Sequence, residues 1–356
     1  MKILLVGEFS GLHKNLKEGL VELGHDVTIV SLRDGWKKID SDISLDSDLQ
    51  WPLAGLMRRL NVYTKMFQFK EYDIVQFINP FCLFYIPFLT KFLINRIIKN
   101  NKKTYLLAAG TDSFYLKYAR EKMKYTPIDD YLKFDYKKSR HQYEKLNYFS
   151  FNKWFASKVN GIIPIMYEYS VCYSDMKNLK QCIPIPMNID DIAFHENDFN
   201  GVLKVFHGLN RYGFKGTKYV EDAFNELNLK HKGKINTVIA GKMPLDEYLK
   251  VLKNANVIID QTSSYSIGVN AVYSLAMGKV VLGGAEPESL KVFNVNTSPV
   301  INITPDKESI IQAVERIIND KDSLREISKQ SREYVELVHD YRKVALEYIK
   351  IWNSQD

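Results

Sequence analysis

Short apolar runs alternate with longer stretches of helical period along the chain. The runs at 2–7 (KILLVG), 27–31 (VTIVS), 72–77 (YDIVQF), 104–110 (TYLLAAG) and 161–165 (GIIPI) are continuous rather than alternating. That pattern predicts parallel strands covered on both faces. After the first run, LHKNLKEGLVELG (12–24) puts Leu12, Leu16, Leu20 and Leu23 on one helical face, and Gly24 ends it. Two prolines and two adjacent aspartates in IPIPMNIDDIAF (183–194) predict a linker. The alternation then restarts at 203–208 (LKVFHG), 235–241 (INTVIAG), 256–261 (NVIIDQ), 279–284 (KVVLGG) and 299–303 (PVINI). Helical patterns at 307–320 and 322–353 end the chain. The repeated βαβα order predicts an α/β protein of two doubly wound, Rossmann-like domains facing a cleft.

Length agrees, since 356 residues exceed what one core usually organises. The three cysteines (Cys82, Cys172, Cys182) have no metal or disulfide spacing, as expected of a reducing, cytoplasmic compartment. The first strand MKILLVG is too short for a secretory signal core. The uncharged run 77–90 holds two prolines and is shorter than the roughly 20 apolar residues a membrane span needs. Net charge is +7, but residues 91–160 hold 16 Lys/Arg against 6 Asp/Glu, a net of +10. This basic segment is rich in Tyr and Phe, above all over 131–155. A solvated helical face and attraction to an anionic membrane surface both fit it. Nucleic acid is not expected, because no nucleic-acid module signature is present.

A ligand between two such domains belongs in the cleft, beyond the carboxyl ends of the strands. HGLNRYGFKGT (207–217) stands there, between a strand and a helix. A helix N-terminus favours an anion, Arg211 and Lys215 add cations, and the glycines let backbone approach closely. His207, Gly208, Asn210 and Gly216 complete this cradle; a merely basic surface turn is the plain alternative. DQTSSYSIGVNAVYSLAMGKVV (260–281) offers a small-residue loop and a second helix N-terminus at Gly268, Val269 and Asn270. Gln261, Tyr265, Ser266, Ile267 and Tyr273 would line it, unless the loop is simply packed tightly. GEFSGLH (7–13) is a third strand-to-helix turn, with Gly11 and His13, but it lacks GxGxxG. Asp112, beyond the fourth run, is either a cleft residue or a helix cap. Asp46-Ser47-Asp48 matches a metal-binding DxD in letters only, with no apolar strand before it, and no metal ligand is expected.

These stretches together resemble the nucleotide-sugar-dependent glycosyltransferases of the GT-B fold, in particular the group of bacterial surface-polysaccharide enzymes. ELGHDVTIVS (22–31) resembles the family's entry to its second strand, HGLNRYGFKGT its phosphate-binding stretch, and YSIGVNAVYSLAMGKVV (265–281) its donor-binding helix. The resemblance implies an acceptor domain at 1–185, a donor domain at 186–335, and a last helix (336–356) returning to the first domain. It implies a UDP- or GDP-sugar donor, no cofactor, no metal, and a glycan or lipid-linked glycan acceptor at the cytoplasmic face of a membrane. Lys215, with Arg211 or Asn210, would neutralise the leaving diphosphate, while His13 and Asp112 would serve at the reacting centre, with retained anomeric configuration. Two departures stand out. The family's two glutamates, eight positions apart, are Tyr265 and Tyr273 here, and its Arg and Lys stand five apart, where this chain has Asn210 before Lys215. A nucleotide-sugar epimerase and a non-catalytic binding subunit of the same fold are the alternatives.

Overall fold

The computed structural model describes residues 1–32, 39, 41–47, 53–83, 86–199, 201–241, 243 and 245–354. The first lobe holds strands β1 (Lys2–Val6), β2 (Asp26–Ser31), β3 (Ile43–Ser44), β4 (Ile74–Phe77), β5 (Lys103–Ala108) and β6 (Gly161–Pro164). Its helices are α1 (Leu12–Glu22), α2 (Leu53–Lys65), α3 (Pro87–Lys99), α4 (Ser113–Lys122), α5 (Ile128–Asp130), α6 (Leu146–Lys158) and α7 (Tyr167–Cys172). The second lobe holds β7 (Leu203–Gly208), β8 (Ile235–Ala240), β9 (Val257–Ile259), β10 (Val280–Gly283) and β11 (Ile301–Asn302). Around them run α8 (Thr217–Lys230), α9 (Leu245–Asn254), α10 (Val269–Ala276), α11 (Pro287–Lys291), α12 (Lys307–Asn319), α13 (Ser323–Val338) and α14 (Tyr341–Asn353).

Both sheets are parallel throughout, in the orders β3-β2-β1-β4-β5-β6 and β11-β10-β9-β7-β8. The architecture is therefore two doubly wound α/β units. Each order reverses once, between β1 and β4 and between β7 and β9, and a doubly wound sheet opens its crevice at such a reversal. The chain segments leaving β1, β7 and β9 are the ones singled out from the sequence.

The continuous apolar runs are explained by burial on both faces. Ile3, Leu4, Leu5 and Val6 are all fully buried. In the second sheet Val205, Val257 and Ile259 pack one face with α8 and α12, while Phe206 and Ile258 point to the other. β8 departs from the pattern because it is an edge strand, with Val238 40% exposed. β3 was not foreseen: two residues in a polar segment leave no apolar run to read. Asp46 of the DxD-like letters pairs with Arg58 at 2.6 Å, and Asp48 lies outside the described residues.

The long C-terminal pattern is two helices. Asp340 interrupts it, its carboxylate accepting from the Arg342 and Lys343 amides at 2.9 and 3.1 Å as an N-cap. The returning helix therefore begins at Tyr341 and lies on α1. Gly19 permits this: a Cβ there would stand 2.4 Å from the Tyr341 carbonyl oxygen. Tyr341 and Arg342 both hold Glu22, and Lys103 donates to the Trp352 carbonyl at 2.8 Å, closing the helix end.

Candidate functional site

Lys215 is buried, and its Nζ pairs with Asp260 at the end of β9. The other oxygen of Asp260 accepts from the Gly268 amide at 3.1 Å. One carboxylate thus ties the loop before α8 to the N-cap of α10. Burial pushes the Asp260 carboxyl up, but the Lys215 ammonium and the Gly268 N–H outweigh it and hold the group below its ordinary range. Arg211 and Asn210 are exposed at the rim, and the Arg211 guanidinium carbon sits 3.8 Å from the Phe214 ring centroid. Gly216 caps α8, and Gly208, partly exposed, faces the Tyr248 hydroxyl.

His207 is turned inward. Its ring bridges the Ile259 carbonyl and the Thr217 hydroxyl, 2.9 Å each, and burial drives its pKa down to about 4. It is a neutral strut between β9 and α8, not a ligand of the cleft. His13 has the same fate: fully buried, 2.7 Å from the Gly7 carbonyl and 3.3 Å from Gln76, with a pKa lowered to about 4 by burial. Asp112 is also fully buried; it caps α4 through the Tyr115 amide at 2.8 Å and accepts from the Tyr173 hydroxyl at 2.7 Å. Burial raises its pKa to about 6. His13 and Asp112 therefore do not reach a reacting centre; both are sealed inside the first lobe.

Across the cleft, position after a strand marks Tyr167 and Glu168 as candidates, and the structure gives Glu168 a role that its position did not. Glu168, the second residue of α7, reaches the second lobe and accepts from the Tyr265 and Ser266 amides at 2.8 and 2.9 Å. Its Oε2 is buried and makes no hydrogen bond among the described residues. Burial raises its pKa. The Tyr265 ring lies between Tyr167 and Tyr125, with centroids 5.3 and 4.8 Å away, and its oxygen accepts from the Lys124 amide at 3.1 Å. The Ser266 hydroxyl receives the Tyr167 amide at 3.3 Å. Gln261 accepts from the Ser264 hydroxyl at 3.1 Å and braces the same loop from within. Ile267 is buried, and Val269 and Tyr273 are half-buried on α10.

A second crossing comes from α5 and the π-helical turn Tyr131–Tyr136 that follows it. Asp135 accepts from the Phe214 amide at 2.9 Å. Tyr131 meets Phe214 and Phe134 meets Tyr212 edge to face, at 5.9 and 5.2 Å. A Cβ on Gly213 would stand 2.0 Å from the Asp130 carbonyl oxygen, so only glycine admits this contact. The middle of the basic, aromatic segment is thus spent on joining the lobes. At the first turn, Glu8 is buried and takes the Gly11 and Lys14 amides, both at 2.8 Å.

Several of the amides at these junctions are thus met by the chain's own carboxylates. Glu8, Asp135, Glu168 and Asp260 hold the amides of Gly11, Lys14, Phe214, Tyr265, Ser266 and Gly268. Asp260 directly follows β9 and Glu168 stands four residues beyond β6, positions that mark both as cleft candidates. Asp135 carries no such mark, because its partner lies in the other lobe.

No protein-family model and no curated protein matches the sequence. Solved structures do match in fold over the whole chain. Sucrose-phosphate synthase from Thermosynechococcus elongatus is 14% identical, with 99% of this chain and 98% of that one covered, at a TM-score of 0.65. HepE from Anabaena, solved with UDP-glucose, is 10% identical with both chains fully covered, at 0.63. A glycosyltransferase from Rickettsia africae is 14% identical with 99% of each chain covered, at 0.58. With two parallel doubly wound lobes, a returning C-terminal helix and these neighbours over its full length, the chain has the GT-B fold.

Proposed function

We propose that this protein is a glycosyltransferase that takes its sugar from a nucleoside diphosphate donor bound on the second lobe. The observation that carries the reading is the Lys215–Asp260–Gly268 chain, which gathers a buried ammonium and two helix N-termini at the sheet's reversal point. Neighbours of the same fold were solved with UDP-glucose and with UDP and glucose. In the transfer, the bond between the anomeric carbon and the β-phosphate oxygen breaks, and its electron pair leaves with the diphosphate. Lys215 spends one of its three N–H donors on Asp260 and keeps the others for the phosphate oxygens. Arg211, at the rim, adds a second cation. An acceptor hydroxyl on a glycan, carried on a lipid, takes the sugar and passes its proton to the departing diphosphate; retention of configuration, cytoplasmic location and a role in polysaccharide synthesis complete the reading. Tyr273, on α10, would meet the nucleoside's ribose in place of a carboxylate.

The test is a thermal shift of the wild type with UDP, GDP, ADP and dTDP, repeated with Arg211→Ala and Lys215→Ala. A nucleotide at about 100 times its Kd stabilises by about 2.7 kcal/mol. One nucleotide should give that shift in the wild type, and Arg211→Ala, exposed and free to fold, should weaken it. A wild type that no nucleotide stabilises refutes the donor reading. The filled amides favour one second reading, a binding subunit without turnover. That reading predicts no release of nucleotide from any sugar donor in the presence of bacterial lipid extract as acceptor source.

A further inference from the structure

Five of the thirteen exposed large apolar side chains of the described residues lie together on adjoining helices of the first lobe. Leu60 on α2, Phe67 in the turn after it, and Phe88, Leu89 and Phe92 on α3 are 45%, 60%, 80%, 42% and 51% exposed. Three of the four exposed phenylalanines of the described residues lie here; Phe194 is the other. Phe88, Phe92 and Arg96 follow at four-residue spacing along one stripe of α3. Phe67 stands beside that stripe, with the Arg96 guanidinium carbon 5.1 Å from its ring centroid.

Charge on the same two helices has one sign. Their sequences, LAGLMRRLNVYTK and PFLTKFLINRIIK, hold Arg58, Arg59, Lys65, Lys91, Arg96 and Lys99 and neither Asp nor Glu. Arg58 is spent on Asp46 and Lys65 on the Ser44 carbonyl. Arg59 and Lys99 are exposed, and Lys91 and Arg96 half-exposed. No helix of the described residues is long and apolar enough to cross a membrane. Three Phe rings standing in water among cations fit a surface that is apolar beneath and negative above.

We propose that the face formed by α2, the turn at Phe67 and α3 docks on the surface of an anionic lipid bilayer. The phenylalanines enter the acyl boundary while Arg59, Lys91, Arg96 and Lys99 meet the headgroups. A second copy of the chain is a poorer occupant, because a two-fold interface would set this face against itself, cation against cation. The inference is independent of the donor site. It also relocates the surface expected from composition: Tyr131 and Phe134 of the 131–155 segment are committed to the second lobe, and the docking face lies on α2 and α3.

The test is co-sedimentation of the full chain with phosphatidylcholine vesicles, with and without phosphatidylglycerol. The wild type should sediment with the phosphatidylglycerol vesicles only, and less as salt rises. Phe88→Ala/Phe92→Ala should lower the partition coefficient at least about tenfold. Arg59→Gln/Lys99→Gln should lower it about thirtyfold, each cation near the surface contributing about a factor of five. All four substituted side chains are solvent-exposed, and an unchanged melting temperature certifies the fold. Absence of binding to the anionic vesicles, or binding that the phenylalanine pair leaves unchanged, overturns the proposal. So does a dimer in analytical ultracentrifugation that the phenylalanine pair abolishes, which would make the face a contact between copies.

Discussion

Glu168 offers the sharpest test of how the lobes are held together. It accepts two backbone amides of the opposite lobe, at 2.8 and 2.9 Å, from a fully buried position. Hydrogen bonds to a charged group contribute about 1.5–3 kcal/mol each, and a buried donor left without a partner costs about 1–3 kcal/mol. Glu168→Ala removes the oxygen that accepts from both amides and should cost about 2–6 kcal/mol in the closed form. Opening the lobes to hydrate the Tyr265 and Ser266 amides relieves that cost, so the variant should open rather than unfold. Glu168→Gln keeps an acceptor at the Oε1 position and removes a carboxylate whose burial already raises its pKa. It should lose about 1–2 kcal/mol at most and stay closed. Small-angle scattering reads the difference as a larger radius of gyration for the alanine variant alone, and circular dichroism confirms that both variants are folded. The pH dependence has a definite sign. A carboxyl with a raised folded pKa binds a proton that the unfolded chain has released, so its contribution favours folding at low pH and fades as pH rises above the ordinary value of 4.5. Closure should therefore weaken with rising pH in the wild type and not in Glu168→Gln. An alanine variant as compact and as stable as the wild type would refute the reasoning.

Other outcomes follow from the same structure. His13, His207 and His339 are buried with pKa values lowered from 6.5 to about 4. Each contributes stability that is present above pH 6.5 and falls by about 3 kcal/mol as pH drops through that window, so the fold should be lost before pH 4 in a fluorescence titration. Asp112 has the opposite sign: its pKa rises from 3.8 to about 6, and stability falls by about 3 kcal/mol as pH climbs between them. Asp112→Asn keeps the cap on the Tyr115 amide and should flatten that slope in urea titrations at several pH values. Gly213→Ala puts a Cβ against the Asp130 carbonyl and should open the cleft in scattering while leaving the melting of the second lobe unchanged. Gly19→Ala should lift α14 from α1 and cost about 2–3 kcal/mol by thermal denaturation.

Much of the fold could be read from the chain because a strand buried on both faces writes itself as an unbroken apolar run. Ten apolar runs correspond to ten of the eleven strands of the described residues; β3 is too short and too polar to be seen. The last helix, expected from 336, begins at Tyr341, because the amphipathic period continues through the break and only the capping aspartate marks the boundary. At the site, the position of Lys215, Gly268 and Tyr265 beside the cleft followed from which strand each one succeeds. Its polarity did not. A histidine or aspartate after a strand can face the crevice or fold back under it, and His13, His207 and Asp112 fold back because buried carbonyls, hydroxyls and amides await them there. Asp135 and Glu168 act on amides 79 and 97 or 98 positions away, and no local spacing encodes such a pairing.

The carboxylates around the cleft divide by where they are anchored. Glu8 and Asp260 serve amides of their own lobe and remain in place whatever the lobes do. Asp135 and Glu168 are carried on the first lobe and reach amides of the second. On the proposed function, a diphosphate sugar on the second lobe would meet Asp260 in every state and Asp135 and Glu168 only while the lobes are closed, which would couple its access to the opening of the cleft. A donor that replaces these carboxylates at the amides recovers the hydrogen bonds that opening forfeits, whereas an anion that reaches Lys215 without replacing them gains nothing from the open state. The absence of the two family glutamates at Tyr265 and Tyr273 is consistent with this arrangement. At Tyr265 an aromatic ring clasped by Tyr125 and Tyr167 secures the loop, and the negative charge that meets its backbone is supplied from across the cleft by Glu168.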